Sequence, residues 1–223
     1  MLDEAQHTET VGEKTYRRIR ADIVFGRLPP GERLTLDRMR DAYETSVSTL
    51  REMLNRLSSE GLVVAEGSRG FQVTPISVAN LREVAAMRCL LETHALQLSF
   101  AAGDMDWEAS VVAAHHKLAS MERRMGAGER SDAETWKRYD WEFHRALIAA
   151  CGSQVLLETH AQIYDRYLRY QVIAGVYRGE VAAGEHRRLL DAALKRDWKT
   201  AQAMLSKHVH DCVTHMIEKR LVR

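Results

Sequence analysis

Four side chains suited to holding one divalent metal ion recur at helical spacing in the second half of this chain. Trp136, Asp140, His144 and Leu147 fall at i, i+4, i+8 and i+11. One helical turn therefore separates an oxygen donor from a nitrogen donor on a single, otherwise apolar stripe. His186 shares a stripe with Leu189, Leu190 and Ala193, and His208 lies between Leu205 and Cys212 on another. Ionisable groups on inward faces are costly to bury without partners, and a shared cation removes that cost. Three imidazoles with one carboxylate suit Zn²⁺, Ni²⁺, Mn²⁺ or Fe²⁺ better than Ca²⁺ or Mg²⁺. Open coordination positions would let a small acid bind the ion directly. A single such histidine reads more simply as a satisfied core residue, so the four together carry the reading. His215, seven residues after His208, is an additional ligand candidate. His94, His115, His116, His160 and His210 read as solvated or helix-lining, and His7 falls in the N-terminal tail.

Such a site needs helices to hold it. Helical patterns run over about 77–102, 106–126, 132–150, 153–173, 177–195 and 198–220, with short breaks at Gly103-Asp104, Gly126-Ala127-Gly128 and Cys151-Gly152-Ser153. Short loops and no repeat predict an all-α antiparallel bundle over residues 77–223. Residues 1–76 read differently. Tyr16, Ile19 and Ile23 make the buried stripe of a helix over about 9–25, and Pro29-Pro30-Gly31 is a rigid turn. Thr35 can cap a short helix carrying Leu36, Met39 and Ala42. Thr45 or Ser46 caps the next, in which Val47, Leu50, Leu54 and Leu57 repeat inward. Leu62–Ala65 and Phe71–Thr74 read as strands around a glycine-rich tip, and Pro75 closes the unit. The fold class is mainly α: a winged helix-turn-helix of three helices and a small β wing, followed by the helical bundle.

In a helix-turn-helix the second helix enters the major groove with its first residues at base edges. Here Ser48, Arg51 and Asn55 share the side opposite Val47, Leu50 and Leu54. Hydroxyls and helix N-terminal amides suit phosphates, and arginine can fork onto guanine. Arg69 sits at the wing tip, while Arg38 and Arg40 on the preceding helix are candidate phosphate-backbone contacts. A small helical subdomain with solvated arginines is the bland alternative. Charge alone does not decide: residues 14–74 carry 11 Lys/Arg against 8 Asp/Glu, and residues 77–223 carry 21 against 19. Cys89, Cys151 and Cys212 are widely spaced in apolar helical patterns and read as reduced core thiols. No apolar run approaches the roughly 18 residues of a membrane span, and the polar start is not a signal peptide. A soluble, cytoplasmic protein without membrane partners is the expectation.

The motif string of the first unit is specific. Pro30-Gly31-Glu32-Arg33-Leu34, Ser46-x-Ser-Thr-Leu-Arg-Glu52, Leu54-x-x-Leu57, Glu60-Gly61-Leu62-Val63 and Arg69-Gly70-Phe71-x-Val73 resemble the N-terminal domain of GntR-type transcription regulators over nearly all of residues 10–75. The resemblance implies a winged helix-turn-helix that binds operator DNA as a homodimer, with contacts from Ser46, Ser48, Thr49, Arg51, Arg69 and Gly70. Members commonly carry an arginine where Val47 stands, so operator preference should differ at the position that arginine would read.

Residues 78–215 resemble the FadR C-terminal (FCD) effector domain. The matching segments are Asp140-Trp-Glu-Phe-His144-Arg-Ala-Leu, Glu185-His186-Arg-Arg-Leu-Leu-Asp-Ala-Ala and Met204-Leu-Ser-Lys-His208. This implies a divalent metal on Asp140, His144, His186 and His208, and a small carboxylate as effector. Arg88 matches a first-helix arginine that often meets the effector's carboxylate, although a plain reading pairs it with Glu92 at i+4. Arg166 and Arg169 are weaker pocket candidates, and Ser153 stands where the family usually has Asn. The expected protein is an effector-responsive regulator, a repressor rather than an activator, and not an enzyme. Two alternatives remain. One is a helical metal-dependent hydrolase built on the His210-Asp211 dyad, although His208 and Cys212 take the inward stripe there. The other is a regulator whose metal is purely structural.

Overall fold

The hydroxyl of Thr10 accepts a hydrogen bond from the Glu13 amide at 3.2 Å and starts α1 (Val11–Val24). In the computed structural model, which describes residues 10–67, 70–129 and 132–222, Tyr16, Ile19 and Ile23 are buried, as their spacing predicts. Next come β1 (Arg33–Leu34), α2 (Leu36–Tyr43), α3 (Val47–Ser59), β2 (Val63–Ala65) and β3 (Phe71–Val73). Ser46, not Thr45, caps α3, its Oγ accepting from the Thr49 amide at 3.1 Å. Between α2 and α3 the chain turns through Glu44, which takes a left-handed conformation (φ 51°).

Three expectations need correction. The buried face of α2 is Met39 and Tyr43, while Ala42 is exposed. Two successive steps of three, from Leu36 to Met39 to Ala42, drift by about 120° around a helix of 3.6 residues per turn, whereas the single step of four from Met39 to Tyr43 drifts by only about 40°. Val47, the first residue of α3, is only half-buried, and Met53 joins Leu50, Leu54 and Leu57 inside. The wing has a third strand: β1 pairs antiparallel with the edge of β3, giving the order β1-β3-β2 with Leu34 opposite Phe71 and Val63 opposite Val73. Two residues are too few to show an alternating pattern. The Pro-Pro-Gly turn delivers them, with the Gly31 amide donating to the Val73 carbonyl at 2.9 Å.

The chain divides into two units, Met1–Ile76 and Ser77–Arg223. The second consists, among the described residues, of six helices: α4 (Val78–Ala102), α5 (Met105–Gly126), α6 (Ala133–Ile148), α7 (Gln154–Ile173), α8 (Glu180–Leu194) and α9 (Trp198–Glu218). Five of them start at a capping side chain: Ser77, Asp104, Asp132, Ser153 or Asp197. Each accepts a hydrogen bond from an amide three residues on, which is why each helix begins where it does. Ser153, where the family usually has Asn, is thus the cap of α7. The exception is α8, which follows Gly179 (φ 55°) without a side-chain cap and starts three residues later than the periodicity suggests. Helix α4 packs on α9, α7 and α6, α5 packs on α6 and α8, and α8 packs on α9. No helix is long and apolar enough to cross a membrane among the described residues. All three cysteines are free thiols, Cys151 and Cys212 buried and Cys89 partly so.

Candidate metal centre and nucleic-acid interface

The inward stripes of α6, α8 and α9 deliver His144, His186 and His208 to one point. Each offers a ring nitrogen, and the three nitrogens lie within 4.8 Å of one another. The rings are at most 3% exposed. Each imidazole has a carboxylate behind its Nδ1: Glu122 Oε1 at 2.6 Å for His186, Glu185 Oε2 at 2.8 Å for His208, and Glu92 Oε1 at 3.5 Å for His144. At His186 and His208, where the carboxylate is within hydrogen-bond distance, such backing favours the tautomer with the proton on Nδ1 and leaves Nε2 as a lone pair. The Nε2 atoms of His144 and His186 are buried and make no hydrogen bond. Two orphaned imidazole nitrogens and three outer carboxylates fit a borderline-soft divalent cation.

Asp140 adjoins this triad. Its Oδ1 lies 3.4 Å from His186 Nε2, and its Oδ2 accepts from the Tyr164 hydroxyl at 3.0 Å with Lys137 Nζ 3.9 Å away. Burial alone would raise this carboxyl, but the Lys137 ammonium holds it well below the usual range. Burial is also the main reason His144 and His208 stay neutral. It lowers His144 well below its ordinary value, with Arg88 adding to the effect, and it brings His208 down to about 4 against the opposing hydrogen bond from Glu185. A metal needs deprotonated ligands of this kind.

Beside the triad, Arg88 is fully buried. Its Nε donates to Glu92 Oε2 at 2.9 Å, and its guanidinium lies over Tyr164 (4.4 Å) and Tyr167 (4.7 Å). Both terminal nitrogens of Arg88 lack hydrogen-bond partners. The i+4 pairing read from sequence therefore exists, and two donors are left over. Sequence reasoning missed His160. Read as solvated or helix-lining, it is buried on α7 with Nε2 3.0 Å from Glu92 Oε1 and its ring stacked on Trp141. It also missed the outer carboxylates. Glu185 precedes His186 and Glu92 follows Arg88 by one turn, so both could have been found, but Glu122 on α5 carried no signal. His115 is buried against Phe143, and His94, His116 and His210 are exposed. His215 is half-buried on α9 and outside the triad; Arg166 is half-buried and Arg169 buried, and neither lines the crevice beside it. The hydrolase reading fails here: His210 points outward, and Asp211 is paired with Lys207 on the surface of α9.

In the first unit, Ser46 Oγ shares hydrogen bonds with Ser48 Oγ (2.8 Å) and Thr49 Oγ1 (2.9 Å), so hydroxyls crowd the start of α3. Arg51 and Asn55, both exposed, face a groove shared with Thr35, Gly67 and Gly70. Gly70 has φ 91°, a backbone that side chains rarely adopt, and its carbonyl accepts from Glu66 at the wing turn. Arg38 is paired with Glu32, and Arg40 with Asp41 at 3.0 Å and Asp37 at 3.9 Å, so neither backbone-contact candidate is an uncompensated charge. Arg69 lies outside the described residues.

Comparison with known proteins settles the family. The profile of the bacterial regulatory proteins of the gntR family matches residues 12–73, and that of the FCD domain matches residues 83–211. The chain belongs to the GntR family, with an FCD domain. GntR regulators with this pairing are DNA-binding transcription factors rather than enzymes. The chain is 35% identical to the HTH-type transcriptional regulator BphR of Paraburkholderia xenovorans (strain LB400), across 95% of this chain and 87% of that protein. It is 30% identical to the HTH-type transcriptional repressor GlaR of Escherichia coli (strain K12), across 87% and 90%. The fold resembles E. coli McbR/YncC with a TM-score of 0.81 and 19% identity, covering 96% of this chain and all of that one.

Proposed function

We propose that this GntR regulator is a homodimeric repressor whose FCD domain binds a divalent transition metal and a small carboxylate effector. Asp140, His144, His186 and His208 would hold the ion. When bound, it would supply a Lewis-acidic anchor for one oxygen of the acid. The observation that carries this reading is the triad itself: three buried imidazoles, each with a carboxylate near its Nδ1, and the Nε2 atoms of His144 and His186 buried without a hydrogen-bond partner. Arg88, with its two unpartnered donors, would meet the carboxylate. Ser46, Ser48, Thr49, Arg51 and the wing at Arg69 and Gly70 would contact the operator, with Arg38 and Arg40 near the backbone. Effector binding would change operator affinity by a coupling free energy between the two sites, and a two-fold dimer would read a palindrome.

Elemental analysis tests the centre: the purified protein carries about one transition-metal ion per chain, and His186→Ala and His208→Ala lose it. Unchanged metal content in both variants would remove the assignment. At the other end, Arg51→Ala should weaken operator binding by about 1–3 kcal/mol and relax specificity at one base. The reading of α3 fails if affinity and specificity are both retained in a fluorescence-anisotropy titration. One observation favours a structural ion instead: the crevice beside the triad has room for roughly one water molecule, about 10 Å³. Titrating acids into metal-loaded protein separates the two readings, since a structural ion leaves DNA affinity indifferent to every acid.

A further inference from the structure

The groove between α3 and the wing holds two polar side chains that the protein itself does not use. Ser48, Arg51 and Asn55 fall at i, i+3 and i+7 on α3, and all three are exposed. This spacing keeps them on one line along the helix. It is also the spacing at which a homeodomain's third helix reads bases in the major groove. The contacts implied by the family resemblance end on α3 at Arg51, and Asn55 lies one turn further in. Nearby charges are matched. Arg33 lies 4.0 Å from Glu66, Arg56 donates to Glu13 at 2.9 Å, and Arg38 and Arg40 each have a carboxylate partner. The side chains of Arg51 and Asn55 make neither a hydrogen bond nor an ion pair among the described residues.

The two residues offer different chemistry. Arg51 carries donors only, which suit the O6 and N7 acceptors of guanine. The Asn55 amide is both a donor and an acceptor, and a phosphate, which only accepts, leaves half of it unused. Adenine uses both halves: its N7 accepts from the amide nitrogen, and its N6 amine donates to the amide oxygen. The groove floor matches the rest of that base pair. Leu36, Ala65 and Phe71 line it together with Asn55, and an apolar surface suits the methyl group of the thymine paired with adenine. Thr35, Gly67 and Gly70 also line this groove of about 630 Å³, and none of them carries a bulky side chain.

Resting on the operator-binding reading of α3 above, we infer that Asn55 is a second specificity determinant, reading an A·T pair in each half-site. Four residues advance about 6 Å along a helix. Successive base pairs are about 3.4 Å apart. The adenine read by Asn55 therefore lies within about two base pairs of the guanine read by Arg51.

The test is selection from a random double-stranded DNA library by the full-length protein and by Asn55→Ala, Asn55→Gln, Asn55→Lys and Arg51→Ala. Fluorescence anisotropy at one fixed salt concentration then gives the affinity for single-base variants of the selected site. The parent should prefer one A·T pair by about tenfold over the alternatives. Asn55→Ala should lose that preference and no other. Asn55→Gln, which keeps the amide, should retain it, and Asn55→Lys, with donors only, should replace it by G·C. Circular dichroism verifies that each variant is folded. The inference is overturned if Asn55→Ala selects the parent's site unchanged at every position. An equal loss of affinity for every sequence overturns it too, because that is the mark of a phosphate contact. If in either case Arg51→Ala loses a guanine preference, the operator-binding reading of α3 stands and only the role of Asn55 falls. If the parent selects no common site, that reading fails first and takes the inference with it.

Discussion

In the proposed metal site, Glu122 would act from behind a ligand. Its carboxylate is 2.6 Å from His186 Nδ1 and comes from α5, a helix with no ligand of its own. Removing an outer carboxylate of this kind costs about 10–100-fold in metal affinity while the ligand itself remains. Glu122→Gln should therefore weaken zinc binding by that factor in a chelator competition while keeping one ion per chain at saturation. An unchanged dissociation constant would mean that Glu122 only packs against His186. The contrast with Asp140 and the histidines explains what sequence could and could not reveal. Those four repeat at helical spacing among apolar neighbours, so they stand out on their stripes. Glu122 sits among Met121, Arg123 and Arg124 and is indistinguishable from a solvated charge. His160 was hidden for the opposite reason: a lone histidine on α7 reads as ordinary until Glu92 is seen 3.0 Å away.

At the scale of elements, legibility followed length. The long helices of the second unit were recognisable because their apolar stripes repeat over several turns and their starts carry Ser or Asp caps. The two-residue β1 was not, since its pairing with β3 depends on where the preceding turn delivers it. The junction of α4 and α5 gives a sharp packing test. A Cβ added at Gly103 would stand 2.5 Å from Trp107 Cε3 and 2.6 Å from Cδ2. The indole cannot yield: its Nε1 donates to the Ala146 carbonyl at 2.9 Å, Phe100 meets it edge-on at 5.5 Å, and Arg196 covers it at 4.4 Å. Gly103→Ala should cost about 1–3 kcal/mol, as overpacking in a filled core generally does. Urea unfolding followed by tryptophan fluorescence measures this, and a stability within 0.5 kcal/mol of the parent would show that the α4–α5 turn is plastic.

For the whole molecule, a ligand that binds only the folded state stabilises it by mass action, about 4 kcal/mol at a thousandfold excess over its dissociation constant. The histidines come from three helices and no such cluster exists in an unfolded chain, so zinc should raise the melting temperature and a chelator should lower it. Differential scanning calorimetry with and without chelator checks the sign. His208→Ala should show little response to either treatment. A chelator effect of equal size in the parent and in His208→Ala would place the metal elsewhere on the chain.

All six helices of the second unit contribute a polar side chain to one buried cluster: Arg88 and Glu92 from α4, Glu122 from α5, Asp140 and His144 from α6, Tyr164 from α7, His186 from α8 and His208 from α9. For anyone recombining this protein with its relatives, that makes residues 77–223 a single heritable block. A crossover near Ile76 carries the cluster over whole. A crossover inside the bundle separates a histidine from the carboxylate behind it, or Arg88 from the tyrosines that cover it, and leaves a buried charge unmatched. Chimeras of the first kind should fold; those of the second should fold only when the donor brings the matching partner on the other side of the junction.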